Sequence, residues 1–152
     1  MKKQNVPQHD EKLLNGMKEI QYAVDEEGNY TQVKSLGWKP KNDALKQAIN
    51  LADELIEDAR QQVVSGEKSP IYFYMKLKQM NYTILKQYTR YCKFKIKKHC
   101  RAKGFDKLNN KILQKYANSF NISIAELKEI PKEAVNALEY NFNFKIENKQ
   151  IN

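Results

Sequence analysis

The residues of this chain with the clearest chemical potential are basic side chains gathered in one stretch. Between Glu67 and Asp106 the sequence holds eleven lysines and arginines and no carboxylate. Helical surfaces ordinarily mix both signs of charge, so a run of unopposed cations favours a partner that carries many negative charges. Four lysines fall on a predicted helix over 93–102, and lysine, a flexible point charge, suits phosphates. They are Lys93, Lys95, Lys97 and Lys98.

The net charge of +9 belongs to this part of the chain. Residues 1–67 carry a net charge of −3, residues 68–115 carry +13, and residues 116–152 carry −1. A solvated basic face is the general interpretation of a charge run. A surface that binds a polyanion is favoured here, because the run is long and coincides with a helical motif.

Aromatic residues alternate with these cations. In general such a pattern builds either a stacking surface for unpaired bases or the edge of an apolar core, and the core is the favoured interpretation here. The residues concerned are Tyr72, Phe73, Tyr74, Tyr82, Tyr88 and Tyr91. Phe94 has two equal interpretations: it contacts a thymine methyl or an unpaired base, or it packs beneath the N-terminal part of the chain.

The sulfur and imidazole groups of the basic stretch predict no metal site. Cys92 and Cys100 fall on one predicted helix, roughly 12 Å apart along its axis, which exceeds the ~7 Å limit for a disulfide. Two helical turns are also too long for one tetrahedral zinc centre that includes His99. We expect free thiols, a His99 side chain on the inner side of the helix, and Cys100 as a small packing residue.

Catalysis finds no support in the sequence. The five glycines are isolated from one another, so no glycine-rich phosphate loop exists, and neither histidine has a nucleophile partner. A group of four acidic residues falls on a predicted long helix. A carboxylate metal site in a helix bundle also needs a histidine, which this helix lacks, so we expect the acidic residues to form a solvated face. That group is Asp53, Glu54, Glu57 and Asp58. The sequence therefore predicts no enzyme and no cofactor.

The elements that precede the basic stretch are a polar arm, a hairpin and a long helix. Residues 1–16 lack periodicity and are predicted to be a mobile arm. Apolar alternation on both sides of a turn at Gly28 predicts a short β-hairpin over 20–33. Apolar residues at steps of three and four predict an amphipathic helix over 42–65, with Asn42 as its N-cap and Gly66 at its end.

Shorter helices follow, and they divide the rest of the chain. The predicted segments are 70–79, 82–89, 93–102, 109–120 and 124–130, with a further helix over 132–140 and a strand over 142–146 in the tail. Asn81 is the predicted N-cap of the second segment. Ser123 and Glu126 form a predicted capping box at the start of the fifth segment. The predicted organisation is an arm, 1–16; a hairpin and long helix, 17–66; a helical domain, 67–131; and a C-terminal tail, 132–152.

Five short helices around a basic middle are typical of a helix-turn-helix domain. Residues 70–130 resemble the helix-turn-helix domain of Cro/C1-type repressors, and the best match lies near the end of that range. It reads Tyr116-Ala117-x-x-Phe120-Asn121-Ile122-Ser123-Ile124-x-Glu126-Leu127. The predicted fold class is therefore mainly α: a five-helix helix-turn-helix-like domain, preceded by a short β-hairpin and one long amphipathic helix.

The resemblance implies that 82–89 is the positioning helix and 93–102 the recognition helix of a DNA-binding domain. Three residues depart from the family pattern: Lys86 replaces a small residue, Arg90 replaces a turn glycine, and Cys100 replaces an acid. The candidate nucleic-acid-binding residues are Asn81, Tyr82, Arg90, Lys93, Phe94, Lys95, Lys97, Lys98, Arg101 and Lys103.

The whole chain also resembles an uncharacterised family of small bacterial proteins, and this resemblance implies no activity. The residues that carry it are Gln21-Tyr22-Ala23-Val24-Asp25-x-x-Gly28-x-Tyr30 and Gly37-Trp38-x-Pro40-x-Asn42.

The expected function is that of a small DNA-binding transcriptional regulator, with duplex DNA as its partner and a homodimer as the expected assembly. The alternative is an adaptor that uses the same fold as a scaffold and binds a protein or ribosomal RNA. The longest apolar run, residues 71–75, is too short to cross a bilayer, and no apolar stretch follows the basic N-terminus. We expect no membrane partner, no small-molecule substrate and a cytoplasmic location.

Overall fold

Helices make up most of the structure, as the sequence predicts. The computed structural model describes residues 1–9, 18–136 and 140, and over these residues it contains seven α-helices and one two-stranded antiparallel sheet. The mainly α class and the hairpin that precedes the helices are confirmed. The chain divides into an N-terminal unit, residues 1–50, and a C-terminal unit, residues 51–152.

The hairpin forms the centre of the N-terminal unit. Strand β1 (Glu19–Val24) pairs with β2 (Tyr30–Ser35), with Val24 opposite Tyr30. In the turn, the carboxylate of Asp25 accepts the backbone N–H groups of Glu27 and Asn29, and Gly28 has a positive φ of 88°. Asp25 and Gly28 are residue types that favour turns, and they form the turn of the predicted hairpin.

Residues 1–9 contact this hairpin. The N–H of Val24 donates to the carbonyl of Met1, the side chain of Gln8 donates to the carbonyl of Lys34, and Val6 is buried. This segment is the first part of the predicted arm, 1–16, whose remaining residues lie outside those that the structure describes.

The long helix α1 (Lys39–Val64) begins three residues before its predicted start. Pro40 is accommodated because an N–H is not needed in the first turn of a helix. Asn42 is therefore not the N-cap: it is buried inside the helix, and its side-chain amide donates to the carbonyl of His9. The apolar stripe of α1 is buried at Ile56 but exposed at Leu55, and Ile56 belongs to the core of the C-terminal unit. The boundary between the two compact units falls within α1, after Asn50.

Six short helices follow in the C-terminal unit. They are α2 (Pro70–Leu77), α3 (Tyr82–Thr89), α4 (Lys93–His99), α5 (Ala102–Phe105), α6 (Asn110–Phe120) and α7 (Ile124–Lys128). The predicted segment 93–102 is in fact a helix that stops at His99, because Arg101 is extended and a new helical turn begins after it. No helix covers residues 132–136, and the predicted strand over 142–146 lies outside the described residues.

The core of this unit is apolar and draws on α1, α2, α3, α4, α6 and α7. Its largest buried side chains include Phe73, Tyr116 and Phe120. The hydroxyl of Tyr74 donates to the carbonyls of Glu126 and Glu129, so it ties α2 to the end of α7. The predicted capping box of Ser123 and Glu126 is present at the start of α7.

Candidate nucleic-acid interface

Helix α4 has a buried side and a cationic side. Ile96, His99 and Cys100 are buried, and every other residue of the helix is exposed. Because successive side chains on an α-helix are about 100° apart, Phe94 and Lys98 share one direction, opposite to that of Ile96. The remaining three lysines flank that direction on both sides. The four lysines predicted to contact phosphates are thus presented around Phe94, whose side chain is 81% exposed.

The C-terminal end of α4 is held by a segment thirty residues earlier in the chain. The hydroxyl of Ser69 donates to the carbonyl of His99 at 2.8 Å, and the N–H of Ser69 donates to the carbonyl of Cys100 at 2.9 Å. These bonds satisfy two carbonyl groups that a helix end leaves without an intrahelical partner. Gly104 then allows α5 to approach closely, since a Cβ at this position would overlap the carbonyl of Lys98.

A hydrogen bond on the buried side fixes the rotation of α4. The Nδ1 of His99 lies 2.9 Å from the hydroxyl of Tyr116 on α6, and the two rings meet edge to face. Burial lowers the pKa of His99 from its ordinary value of 6.5, and the nearby charges of Lys95 and Lys98 lower it further. His99 is therefore a packing residue on the inner side of the helix, as predicted.

Helix α3 meets α4 through a turn that contains Arg90. The side-chain oxygen of Asn81 accepts the N–H groups of Thr83 and Ile84, so its predicted N-cap role is confirmed. Arg90 is exposed and left-handed, with φ of 59°. Only glycine takes this conformation at no steric cost. The turn therefore has a backbone conformation that glycine adopts most easily, with a cation in its place.

Aromatic rings hold several of the lysines in position. The ammonium of Lys97 lies 5.6 Å from the ring centroid of Tyr82, and that of Lys95 lies 4.6 Å from the centroid of Tyr91. Lys115 of α6 approaches the same Tyr91 ring at 4.8 Å. At about 9 Å, the widest separation that those two distances allow, two ammonium groups repel by about 0.5 kcal/mol in water. That value is the minimum repulsion, and each cation–π contact, worth about 0.5–1 kcal/mol at an exposed site, offsets repulsion of this order.

The structure places the remaining candidates on the same stretch. Arg101 and Lys103 are exposed in and beside α5, while Tyr82 is half-buried, and burial raises its pKa to about 12. Of the interleaved aromatics, Phe73 and Tyr74 are in the core and Tyr88 is 63% exposed. The 81% exposure of Phe94 does not support the interpretation that packs it beneath the N-terminal part of the chain.

Sequence reasoning missed Lys115 and the role of Tyr91. The signal was present in the charge profile, because Lys115 is the last cation of the segment with the net charge of +13. What could not be read from the sequence is that Lys115 reaches the ring on which Lys95 also lies.

The cysteines and carboxylates of the described residues do not form a second candidate site. Both cysteines are free, Cys92 exposed and Cys100 buried, and burial raises the pKa of Cys100 to about 12. Across residues 1–9, 18–136 and 140, no three side chains of His, Cys, Asp or Glu lie close enough together to hold a metal ion. The acidic carboxylate of Glu57 pairs with Arg60, which holds its pKa at about 2.

Comparison with known proteins adds no relative. The chain matches no protein-family model, no curated protein and no solved structure. In the part of the chain that the structure describes, none of the helices has both the length and the apolar character needed to cross a membrane.

Proposed function

We propose that this chain is a small non-enzymatic nucleic-acid-binding protein, a cytoplasmic transcriptional regulator that binds duplex DNA as a homodimer. In this proposal α3 and α4 form a helix-turn-helix of the Cro/C1 type, and α4 is the helix that enters the major groove. The supporting observation is the exposed side of α4, where four lysines surround an exposed Phe94.

The charges of this surface suit the DNA backbone better than an acidic protein. In the described residues, none of the four lysines of α4 forms an ion pair with a carboxylate, so their charge is available to a partner. Lysine is a point charge that binds phosphates without fixed geometry, whereas base edges are read by bidentate side chains. We therefore expect binding that is strongly electrostatic and only weakly selective for sequence.

Fluorescence anisotropy tests the proposal with labelled random duplex, single-stranded DNA and RNA over a series of salt concentrations. We expect the duplex to bind most tightly, with log K falling by about 0.9 per neutralised phosphate for each unit of log salt. The variant with Lys95→Glu and Lys98→Glu should lose duplex binding. The matched control reverses Lys46 and Lys128, two exposed lysines outside residues 68–115, and should bind like the wild type.

Three outcomes would contradict the proposal. Absence of binding to every probe at low salt would remove nucleic acid as the partner. Tighter binding to RNA than to duplex would support the adaptor alternative. Equal losses in both double variants would mean that α4 has no special part in binding.

A further inference from the structure

Lys95 and Lys115 lie on different helices, but their ammonium groups approach one aromatic ring. The distances to the centroid of Tyr91 are 4.6 Å and 4.8 Å, so the two cations can be no farther apart than the sum of these distances. Neither lysine forms an ion pair within residues 1–9, 18–136 and 140. Two cations that converge without a counterion produce a local positive potential that attracts an anion.

The ring that holds these cations is itself fixed. Tyr91 meets His99 edge to face at 5.9 Å and lies 6.0 Å from Tyr116 with the ring planes tilted by 49°. His99 and Tyr116 are hydrogen-bonded to each other. Both of those residues are buried, so the outer ring rests on a rigid inner pair. The two ammonium groups are thereby aligned before any ligand arrives, which lowers the entropy that binding must remove.

We propose that Lys95, Lys115 and Tyr91 form a site for a single phosphate of a polynucleotide backbone, bound by both ammonium groups at once. A charge-assisted hydrogen bond from an ammonium to a phosphate oxygen is about 2.7–2.9 Å long, and the lysine stem is flexible, so two ammonium groups beside one ring can each donate to an oxygen of the same phosphate. The site extends the contact surface from α4 onto α6. It rests on the proposed nucleic-acid function and adds Lys115, a residue outside the predicted set.

A shared phosphate gives the two lysines a distinctive salt dependence. Each neutralised duplex phosphate contributes about 0.9 to the slope of log K against log salt, which amounts to about eightfold in affinity at 0.1 M salt. If both lysines bind one phosphate, either single variant leaves that phosphate neutralised by the remaining lysine. Lys95→Gln and Lys115→Gln should then lower the slope little, and the double variant should lower it by about 0.9. If they bind two separate phosphates, the losses in slope should add in the double variant.

The experiment measures duplex affinity by anisotropy over 0.05–0.3 M salt, about the range in which such slopes are linear. Lys128→Gln is the control, since it removes one exposed charge from the same unit without touching Tyr91. Lys115→Arg retains the charge and should retain the slope. Circular dichroism checks that each variant is folded.

The outcomes separate this inference from the proposed function. If the wild type binds duplex with a steep slope but the double variant keeps the same slope as Lys128→Gln, the shared site is wrong and the proposed function stands. Additive losses of slope also overturn the shared site. If the wild type does not bind any polynucleotide, both proposals fall.

Discussion

The two units of this chain are stabilised by different means. In the described residues of the N-terminal unit, buried side chains include the small apolar Val6 and Ala23 together with the polar Ser35 and Asn42. The C-terminal unit has a continuous apolar core with large aromatic side chains such as Phe73. The first unit therefore relies on hydrogen bonds of fixed geometry, and the second relies on buried volume.

Gly37 and Asn42 illustrate the first kind of stabilisation. Gly37 has φ of 111°, and a Cβ there would lie 2.5 Å from the side-chain oxygen of Asn42. The Asn42 amide in turn donates to the carbonyl of His9. The spacing of Gly37 and Asn42 therefore has a structural explanation that needs no activity.

The difference explains where the basic surface lies. Eleven cations within residues 68–105 repel one another, and a compact state with that charge needs compensation from elsewhere. The apolar core of the C-terminal unit supplies this compensation. The buried Ile96 packs α4 against the core, while the lysines of the helix remain in water. A small polar core like that of the N-terminal unit would not offset such repulsion.

The largest expected effect comes from removing core volume in the C-terminal unit. Phe73→Ala should lower the free energy of unfolding by about 3–5 kcal/mol, because it deletes a fully buried aromatic ring. Val6→Ala in the N-terminal unit should cost only about 1 kcal/mol, since it removes two methyl groups. Urea unfolding followed by circular dichroism and by hydrogen exchange would measure both. Similar losses in the two variants would contradict the proposed difference between the units.

The local signals in the sequence predicted much of this fold. The cap at Asn81, the capping box of Ser123 and Glu126 and the hairpin turn at Gly28 are formed by residues within four positions of one another. Each is a short-range hydrogen bond or backbone preference, which residue types alone specify.

The features that the sequence did not predict depend on distant partners. Asn42 looked like a cap, but its side chain bonds the carbonyl of His9, thirty-three residues earlier. Helix α4 ends at His99, where the hydroxyl and the N–H of Ser69, thirty residues earlier, donate to the carbonyls of His99 and Cys100. The convergence of Lys95 and Lys115 on Tyr91 likewise depends on how α4 and α6 pack. Charge and periodicity predicted which stretch is basic, but not which cations meet.

A second effect, smaller than the loss of Phe73, is the pH dependence of stability that His99 causes on the inner side of α4. The pKa of folded His99 is lowered by burial and by Lys95 and Lys98, and the aromatic rings that face it are Tyr91 and Tyr116. Between that lowered pKa and 6.5 the unfolded chain binds more protons than the folded one, so unfolding becomes easier as pH falls. This contribution is complete above pH 6.5 and is lost as pH falls through the lowered value.

Urea unfolding at pH 7.5 and at lower pH values, on the wild type and His99→Gln, would measure this. The wild type should lose stability in this range, and the variant should lose less between the same two pH values. Pairing with Arg60 holds the pKa of Glu57 at about 2 against an ordinary 4.5, so Glu57 contributes to the pH dependence only below about pH 5, and the comparison is made above that pH. An equal pH dependence in both proteins would show that His99 is not the responsible group.

The smallest expected effect separates backbone strain from function at Arg90. Arg90→Gly relieves a left-handed conformation, so it should raise the free energy of unfolding by about 0.5–1 kcal/mol. The same change removes an exposed cation beside α4, so duplex affinity should fall and the salt slope should decrease by about 0.9 if Arg90 contacts a phosphate. Lys86→Gln, on the exposed side of α3, is the charge-matched comparison without any relief of strain.

A more stable protein that binds DNA less well would indicate that Arg90 occupies a strained turn because its charge contacts the polyanion. A more stable protein with unchanged affinity would instead assign the left-handed arginine to the turn alone. In that case the basic surface would be confined to α4 and the residues that follow it, and the departure from the glycine of the Cro/C1 pattern would have no part in binding.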